Sequence, residues 1–177
     1  MKNILITGKG SYIGTHFKEY MKQWPDQYQV DELDMMGPAW EDHDFSKYDV
    51  VYHVAGLAHS TPDESQRDLY YQVNTELAFE TAKLAKRSGV RQFIFMSSII
   101  VYGSGRVGED RVITKSTPLT PDNFYGDSKK QAEIKLQSLK EDGFKVVILR
   151  PPMIYGPKSK GNYPMLSKLA KKTPIFP

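Results

Sequence analysis

The chain has 177 residues, 40% of them hydrophobic and 25% charged, with a formal net charge of +3. This length suits one domain with a substantial core, and the composition is ordinary for a globular protein. The absence of cysteine excludes disulfides and thiolate chemistry, and no basic run is long enough to predict nucleic-acid binding. The His and acidic residues show no metal-ligand spacing, so no metal is expected. No apolar stretch approaches the length of a membrane span and the N-terminus is typical of a strand, so we expect a soluble, cytoplasmic protein without membrane insertion.

In chain order, short aliphatic runs alternate with helical patterns. They predict strands over 4–6, 28–35, 49–55, 92–96 and 145–149, and helices over 12–21, 61–88, 122–142 and 163–172. Strands that alternate with helices through short connections form a parallel sheet covered on both faces, and solid aliphatic runs suit such strands. The predicted fold class is therefore α/β, with a doubly wound parallel sheet. The long irregular loop 103–122 directly follows a strand end, and such loops are often functional.

Glycines are concentrated where the first strand meets the first helix, in TGKGSYIG at 7–14. Gly8, Gly10 and Gly14 let the backbone turn tightly and approach a pyrophosphate, while the following helix offers free N–H groups and its positive end. A strand before the glycines and a helix after them favour a dinucleotide site over a bare glycine pattern. The alternative is a tight turn that binds no ligand.

An acid at the end of the second strand often binds the adenosine ribose in such sites. Asp34 occupies that position, with Asp31 as the fallback. A carboxylate there accepts hydrogen bonds from the ribose hydroxyls and repels a 2′-phosphate, which favours NAD over NADP, although Lys9 argues the other way. The alternative for Asp34 is a plain acid at a strand end.

The stretch YGDSK places a phenol, Tyr125, four residues before an amine, Lys129. Residues with this spacing lie on one face of a helix, so both can address the same ligand. An ordinary Tyr is a poor base at neutral pH, and a nearby ammonium favours its ionised form. The pair therefore suits proton transfer, with two ordinary surface residues as the alternative.

Together these stretches resemble the extended short-chain dehydrogenase/reductase family, and in particular its NAD-dependent, UDP-glucose/galactose 4-epimerase-like members. The resemblance implies a Rossmann-like fold and NAD as the cofactor. The matching stretches follow the family order and span nearly the whole chain: TGKGSYIG at 7–14, HVAG at 53–56, VNTE at 73–76, SSIIVYG at 97–103, YGDSK at 125–129 and LRPPMIYGP at 149–157.

The resemblance also implies which residues contact the cofactor. The expected set is Gly8, Gly10, Ser11, Tyr12, Ile13, Gly14, Asp34, Asp44, Phe45, Ala55, Gly56, Leu57, Asn74, Tyr125, Lys129 and Pro151. The chain departs from the family in two places: the second glycine of the loop usually falls where Ser11 stands, and Ala58 replaces a lysine that contacts the cofactor in galactose epimerases. For Asp44 and Phe45, a solvent-facing acid and a core aromatic are the alternative.

The implied chemistry is transient oxidation of a sugar hydroxyl. Tyr125 is the expected acid/base, Lys129 lowers its pKa and holds the nicotinamide ribose, and Ser98 bonds the reacting oxygen, with Ser97 as the weaker candidate. The related sugar 4,6-dehydratases carry Asp-Glu directly after this Ser or Thr. Here Ile99 and Ile100 occupy those positions and cannot move the protons of dehydration, so epimerisation at C4 or simple keto-reduction remains.

The implied substrate is a nucleotide sugar, held by Ser98, Tyr125 and Asn162. Asn162 resembles a diphosphate contact, although a helix N-cap is the alternative. Met153 stands where galactose epimerases have a diphosphate-binding Asn, and similar Arg-Pro-Pro strands occur in relatives that act on other nucleotide sugars or on lipid-linked sugars. We therefore expect an NAD-binding catalytic domain over 1–157 and the start of a truncated substrate region over 158–177.

Three alternatives to a 4-epimerase stay open at this point. One is a 4-ketoreductase of a nucleotide- or lipid-linked sugar, which would consume NADH or NADPH. Another is a non-catalytic NAD(P)-sensing regulator, and a third is a structural protein with an empty cofactor site. The retained Tyr125 and Lys129 argue against a regulator, and the glycine loop with Asp34 argues against a structural protein. Relatives often form homodimers through the long helices, and a homodimer is a further expectation.

Overall fold

The computed structural model describes residues 1–58, 63–105, 110–159 and 162–172. Five parallel strands form one sheet in the order β2-β1-β3-β4-β5. The strands are β1 (Lys2–Thr7), β2 (Tyr28–Leu33), β3 (Val50–His53), β4 (Gln92–Met96) and β5 (Lys145–Leu149). The predicted α/β fold with a Rossmann-like parallel sheet is confirmed.

The helices follow the strands in the predicted alternation. They are α1 (Tyr12–Met21), α2 (Arg67–Tyr70), α3 (Leu77–Arg87), α4 (Phe124–Gln137) and α5 (Asn162–Lys172). A π-helical segment, Tyr71–Glu76, joins α2 to α3, so that one long helix runs over 67–87. Residues 61 and 62, where this helix was predicted to begin, lie outside the described residues. None of the helices in the described part of the chain is long and apolar enough to cross a membrane.

Helices cover both faces of the sheet, as the pattern predicts. On one face, Ala82 of α3 and Leu136 of α4 pack with Phe93 and Phe95 of β4. On the other face, Ile6 of β1 packs in a second cluster with apolar residues of α1, Ile13, Phe17 and Met21. Successive residues of one strand point to opposite faces, and aliphatic and aromatic side chains on both faces give the sheet two cores.

Two predicted strands end earlier in the structure than in the sequence pattern. β2 stops at Leu33 because the Asp34 carboxylate accepts a hydrogen bond from the Met36 N–H and turns the chain away. β3 stops at His53 because the N–H groups of Val54 and Ala55 both donate to the Thr7 carbonyl. These turns start the loops at the carboxyl edge of the sheet.

The predicted helix over 122–142 is shorter in the structure. It begins at Phe124 because Asn123 is the N-cap, whose side chain accepts from the Gly126 N–H at 2.8 Å. Asp122 instead accepts a hydrogen bond from the Ser104 N–H across the long loop. The cap places Tyr125 in the first turn of α4, above the sheet edge.

The strand order also creates a crevice. The chain leaves β1 toward β2 on one side and later continues through β3 to β5 on the other side. In open α/β sheets, ligands bind outside the carboxyl ends of the strands at such a switch point. Gly8 follows β1 directly at this place.

Candidate active site

The glycine loop, here called the glycine cradle (residues 8–14), folds back against β2. The N–H groups of Gly8 and Lys9 donate to the Leu33 carbonyl at 3.0 and 3.1 Å. Gly8 has a φ of +116°, and a Cβ on it would lie 2.8 Å from the Ala55 nitrogen. Any side chain at this position would therefore push the end of β1 away from the end of β3.

The N-terminus of α1 completes the cradle. The Ser11 hydroxyl accepts from the Gly14 N–H at 3.1 Å, and a Cβ on Gly14 would lie 2.8 Å from a methyl carbon of Ile6. The first N–H groups of a helix lack intrahelical partners, and the first turn of α1 holds no acidic residue. This positive helix end fits a pyrophosphate, so the residues present suit a dinucleotide.

The two acids predicted near the ribose lie in different settings. Asp34 is exposed at the carboxyl edge of β2, beside the cradle, and its carboxylate accepts a hydrogen bond from the Met36 N–H. Asp31 accepts a hydrogen bond from the Tyr48 hydroxyl at 3.1 Å. Asp34 therefore keeps the exposed edge position that a ribose contact requires, and Asp31 is engaged within the fold.

Glu32 is an acid beside the cradle that the sequence reasoning missed. Its carboxylate accepts from the Gly10 N–H at 3.3 Å and pairs with the Lys18 ammonium at 3.1 Å. The hydrogen bond from Lys18 is the main reason why the pKa of Glu32 lies below its ordinary value. Side chains alternate between the two faces of a strand, which places Glu32 on the face that α1 covers. This alternation is the feature of the sequence from which its position could have been predicted.

Asp44 and Phe45 do not meet at a common surface. The Asp44 carboxylate accepts hydrogen bonds from the backbone and hydroxyl of Ser46, which lower its pKa and cap a short 3₁₀ turn. The Phe45 side chain is fully enclosed in the core beneath α3. These placements agree with the alternative of a solvent-facing acid and a core aromatic.

The segment Ala55–Leu57 is held from below by the buried side chain of Asn74. The Asn74 amide accepts from the Leu57 N–H at 2.8 Å and donates to the Leu57 carbonyl at 3.1 Å, and it also donates to the Ser128 hydroxyl. Asn74 reaches this position from the π-helical turn. A Cβ on Gly56 would lie 2.9 Å from both the Asn74 oxygen and the Lys129 ammonium. A larger residue at this position would displace the ends of both side chains, so the structure brings the predicted residues 56, 57, 74 and 129 together.

Tyr125 and Ser98 meet above the end of β4. The Ser98 hydroxyl lies near enough to the Tyr125 phenol to affect its pKa, and it accepts a hydrogen bond from the Ile100 N–H at 3.3 Å. Burial raises the pKa of Tyr125, and the Ser98 hydroxyl opposes that rise. The Ser97 hydroxyl instead points inward and donates to Glu133. Of the two serines, Ser98 therefore shares the site with the phenol.

Lys129 is buried beside this pair, with 5% of its surface exposed. Its ammonium donates to the Met96 carbonyl at 3.1 Å and lies 4.8 Å from the centre of the Phe95 ring. Burial lowers its pKa to about 8, and the charge of Glu133 opposes this. The predicted lowering of the Tyr125 pKa by Lys129 is not what the structure shows, because burial of the phenol dominates and the ammonium is directed to the Met96 carbonyl.

His53 lies fully buried at the end of β3. Its Nδ1 shares a 2.8 Å hydrogen bond with the Thr7 hydroxyl, and its ring stacks near Phe93 and Phe95. Its Nε2 is buried with no hydrogen-bond partner among the residues that the structure describes. Burial, together with the charge of Lys129, lowers the pKa of His53 to about 3, so this ring is neutral under the site at neutral pH.

A buried ion pair beneath the site was also missed. Glu133 is 2% exposed, and both of its carboxylate oxygens accept from Arg150, at 3.0 and 2.6 Å. The Arg150 guanidinium also donates to the Tyr102 hydroxyl at 2.6 Å. The only sequence signal was that Glu133 follows Lys129 by four residues. We call Ser98, Tyr125, Lys129, Glu133 and Arg150 the polar cluster.

The remaining predicted residues lie beyond β5. Pro151 accepts a hydrogen bond from the Ile99 N–H at 3.1 Å, which ties it to the turn after Ser98. Met153 is exposed. Asn162 is the first residue of α5, but its side chain lies outside the described residues. Across the described ranges, no three His, Cys, Asp or Glu residues come together as metal ligands would.

Comparison with known protein families defines the class to which this fold and site belong. Residues 4–173 match the family described as "Epimerase: NAD dependent epimerase/dehydratase family". The chain belongs to this family, which confirms the predicted extended short-chain dehydrogenase/reductase resemblance and the predicted cofactor, NAD.

Individual relatives of this chain are named as enzymes that act on activated sugars. The chain is 34% identical to a UDP-glucose 4-epimerase of Vibrio cholerae, over 97% of this chain and 57% of that protein. It is 29% identical to the N-acetyl-alpha-D-glucosaminyl-diphospho-ditrans,octacis-undecaprenol 4-epimerase of Escherichia coli O157:H7, over 95% of this chain and 54% of that protein. A dTDP-D-glucose 4,6-dehydratase of Mus musculus is 28% identical, over 88% of this chain and 51% of that protein. The chain thus spans little more than half the length of these relatives.

Among solved structures, MoeE5 in complex with UDP-glucose and NAD superposes with a TM-score of 0.78. The superposition covers 97% of this chain and 61% of that chain, at 23% sequence identity. At this identity the likeness concerns the fold.

Proposed function

We propose that this chain is the NAD-binding and catalytic part of a nucleotide-sugar 4-epimerase that acts on a UDP-hexose. The observation that carries the proposal is the meeting of Ser98, Tyr125 and Lys129 at the strand ends, beside Gly56 and next to the glycine cradle. The likeness to UDP-glucose 4-epimerase supports it.

Bound NAD would accept a hydride from the sugar carbon and return it, so that no cofactor is consumed. The cradle and the N-terminus of α1 suit its pyrophosphate. Asp34 would bind the adenosine ribose, and Lys129 would bind the nicotinamide ribose. The backbone over 55–57, held by Asn74, would form the floor between these two groups.

Tyr125 would move the proton. It would take the C4 hydroxyl proton as the C–H bond breaks, and would return a proton when the hydride comes back to the opposite face of the 4-keto sugar. Ser98 would hydrogen-bond the reacting oxygen throughout. General acid–base catalysis of this kind contributes about 10²–10⁴-fold. Because burial raises the Tyr125 pKa, positive charge close to the phenol is needed to form the phenolate.

Dehydration is the other activity of this family, and the residues after Ser98 argue against it. Elimination of water needs an acid and a base beside the sugar, and Ile99 and Ile100 open the 3₁₀ turn that follows Ser98. Aliphatic side chains supply neither group. Relatives named as dehydratases match the chain, so the product of the reaction must be identified directly.

A second candidate is action on a lipid-linked sugar, either by epimerisation or by a 4-ketoreductase that uses NADH or NADPH. The likeness to the undecaprenol-linked 4-epimerase favours a lipid-linked substrate. Galactose epimerases have an Asn where this chain has Met153. This difference argues against UDP-galactose as the preferred substrate.

The test is an assay of the purified protein with NAD and a panel of UDP-sugars, with products resolved by chromatography. The wild type and the control Tyr20→Phe, which alters an exposed tyrosine on α1, should interconvert C4 epimers without net loss of cofactor. Tyr125→Phe should lose turnover by about 10²-fold or more and keep NAD binding. Equal turnover in Tyr125→Phe would contradict the assigned base. Stoichiometric oxidation of reduced cofactor would identify a ketoreductase, and a 4-keto-6-deoxy product a dehydratase.

We further propose that residues 158–177 begin the region that closes over the sugar, with Asn162 as a diphosphate contact. A cytoplasmic location and a homodimer complete the proposal. Light scattering on the purified protein will test the dimer.

A further inference from the structure

Glu133 is a carboxylate buried directly beneath the reacting groups. It follows Lys129 by one helical turn, so the two side chains share one face of α4. Only 2% of Glu133 is exposed. A carboxylate is very rarely buried to this extent unless it is paired, and Glu133 is paired with Arg150.

The contacts of Glu133 join α4 to two neighbouring strand ends. Its carboxylate accepts from the Ser97 hydroxyl, which directly precedes Ser98 at the end of β4. It also accepts from Arg150, which directly precedes Pro151 at the end of β5. One side chain therefore links the helix that carries Tyr125 and Lys129 to both strand ends of the site.

The surroundings of Lys129 make its charge costly. The ammonium has one described hydrogen-bond acceptor, the Met96 carbonyl, and lies over the Phe95 ring. Tyr125 lies on the same helix face, and the neutral ring of His53 is packed nearby on β3. Burial accordingly lowers the pKa of Lys129, whereas Glu133 raises it.

We propose that Glu133 is a positioning residue: it holds α4 against the strand ends that carry Ser98 and Pro151, and it places a buried negative charge one helical turn from Lys129. Arg150 pairs with the Glu133 carboxylate and so offsets the cost of burying it. The consequence for catalysis rests on the proposed function, but the effect on Lys129 does not.

The direct test measures the Lys129 ammonium by NMR in lysine-labelled protein, without cofactor or sugar, and Lys129→Met assigns the signal. In Glu133→Gln, the Lys129 titration should move to lower pH, and Glu133→Asp should return it toward the wild-type position. Glu76→Gln is the matched control: it removes an exposed carboxylate that pairs with Lys135 of the same helix, and should leave Lys129 unchanged.

Glu133→Gln leaves the charge of Arg150 without its partner and can therefore impair folding. A second variant keeps the inference testable in that case. In Glu133→Met/Arg150→Met both charges are absent, and such replacements are often tolerated. The Lys129 titration should again move to lower pH, but by less than in Glu133→Gln, because the positive charge of Arg150 is removed as well. NAD affinity, measured by calorimetry at pH 7.5, should fall about tenfold in Glu133→Gln, should fall less in the double variant, and should recover in Glu133→Asp. An unchanged Lys129 titration in the folded variants would overturn the inference. A failure to epimerise sugars would overturn only the proposed function, since the NMR readout requires neither ligand.

Discussion

The glycine cradle and the polar cluster lie at neighbouring strand ends, but the first consists mainly of backbone and the second of side chains. Glycine is favoured in the cradle because a larger residue would clash, as a Cβ on Gly8 would with the Ala55 backbone. The cluster is made of buried polar side chains that depend on one another, as Glu133 and Arg150 do. Changes in the cradle should therefore act mainly on ligand binding, whereas changes in the cluster should act on folding and catalysis together.

The largest expected effect is on stability, in the cluster. Glu133→Ala leaves Arg150 with no carboxylate and should lower the free energy of unfolding by about 3–5 kcal/mol. The exposed pair Glu76–Lys135 is the control, and Glu76→Ala should cost less than about 1 kcal/mol. Urea denaturation will measure both. A similar, small cost for the two variants would remove the distinction between the cluster and the surface.

The next effect is on binding, in the cradle. Gly8→Ala should reduce NAD affinity at least about tenfold, because its Cβ would meet the Ala55 backbone and its positive φ strains any other residue. Gly89→Ala is the control, since Gly89 has a φ of +83° with open space around it. It should lower stability by about 1 kcal/mol and leave NAD affinity intact. Calorimetry and thermal melts will separate the two, and unchanged affinity in Gly8→Ala would argue against the cradle as the cofactor site.

A pH dependence should distinguish the two regions further. The folded-state pKa of Lys129 is lowered to about 8 from its ordinary value of 10.5, so the unfolded chain binds more protons between these values. Stability contributed by this group should therefore rise with pH above about 8. Burial raises the pKa of Tyr52 to about 12, which opposes the trend above pH 10 because the unfolded tyrosine ionises first. Urea midpoints between pH 8 and 10 should rise less in Lys129→Met than in the wild type, and parallel curves would contradict the buried, charged Lys129.

The smallest effect should be on the choice of nucleotide. Asp34→Asn removes the charge that would repel a 2′-phosphate, so the preference for NAD over NADP should fall several-fold, about 1 kcal/mol. Glu32→Gln is the control, because Glu32 is engaged with Lys18 and Gly10. If Glu32→Gln changes the preference more than Asp34→Asn does, Glu32 is the ribose acid. Competition binding with the two nucleotides will decide.

The two regions also differ in how far they could be predicted. Gly8 and Gly14 were predicted because a dinucleotide loop needs glycines at fixed places after a strand, and Asp34 because an acid often stands at the end of the second strand. Tyr125 and Lys129 were found because helical spacing puts them on one face. The second strand, by contrast, was predicted two residues too long. The sequence pattern does not show that Asp34 accepts a hydrogen bond from the Met36 N–H and so ends the strand.

Partners far apart in sequence could not be predicted in this way. Ser97 meets Glu133 across 36 residues, and the Asn74 amide meets Ser128 across 54. A charged or polar residue in a helix looks the same in the sequence whether water or another element satisfies it. For the same reason, the sequence could not show that burial would raise the Tyr125 pKa while the ammonium of Lys129 bonded the Met96 carbonyl.

The sequence by itself determined the alternation of strands and helices, the glycine turn and the helical spacing of Tyr125 and Lys129, because these are set by local backbone geometry and by which residues avoid water. Only the tertiary structure decided that Ser98 rather than Ser97 faces the phenol, that Glu32 lies at the cradle, and that Glu133 and Arg150 lie beneath Lys129. Those contacts join separate elements, and the energies of buried charges depend on what surrounds them in space.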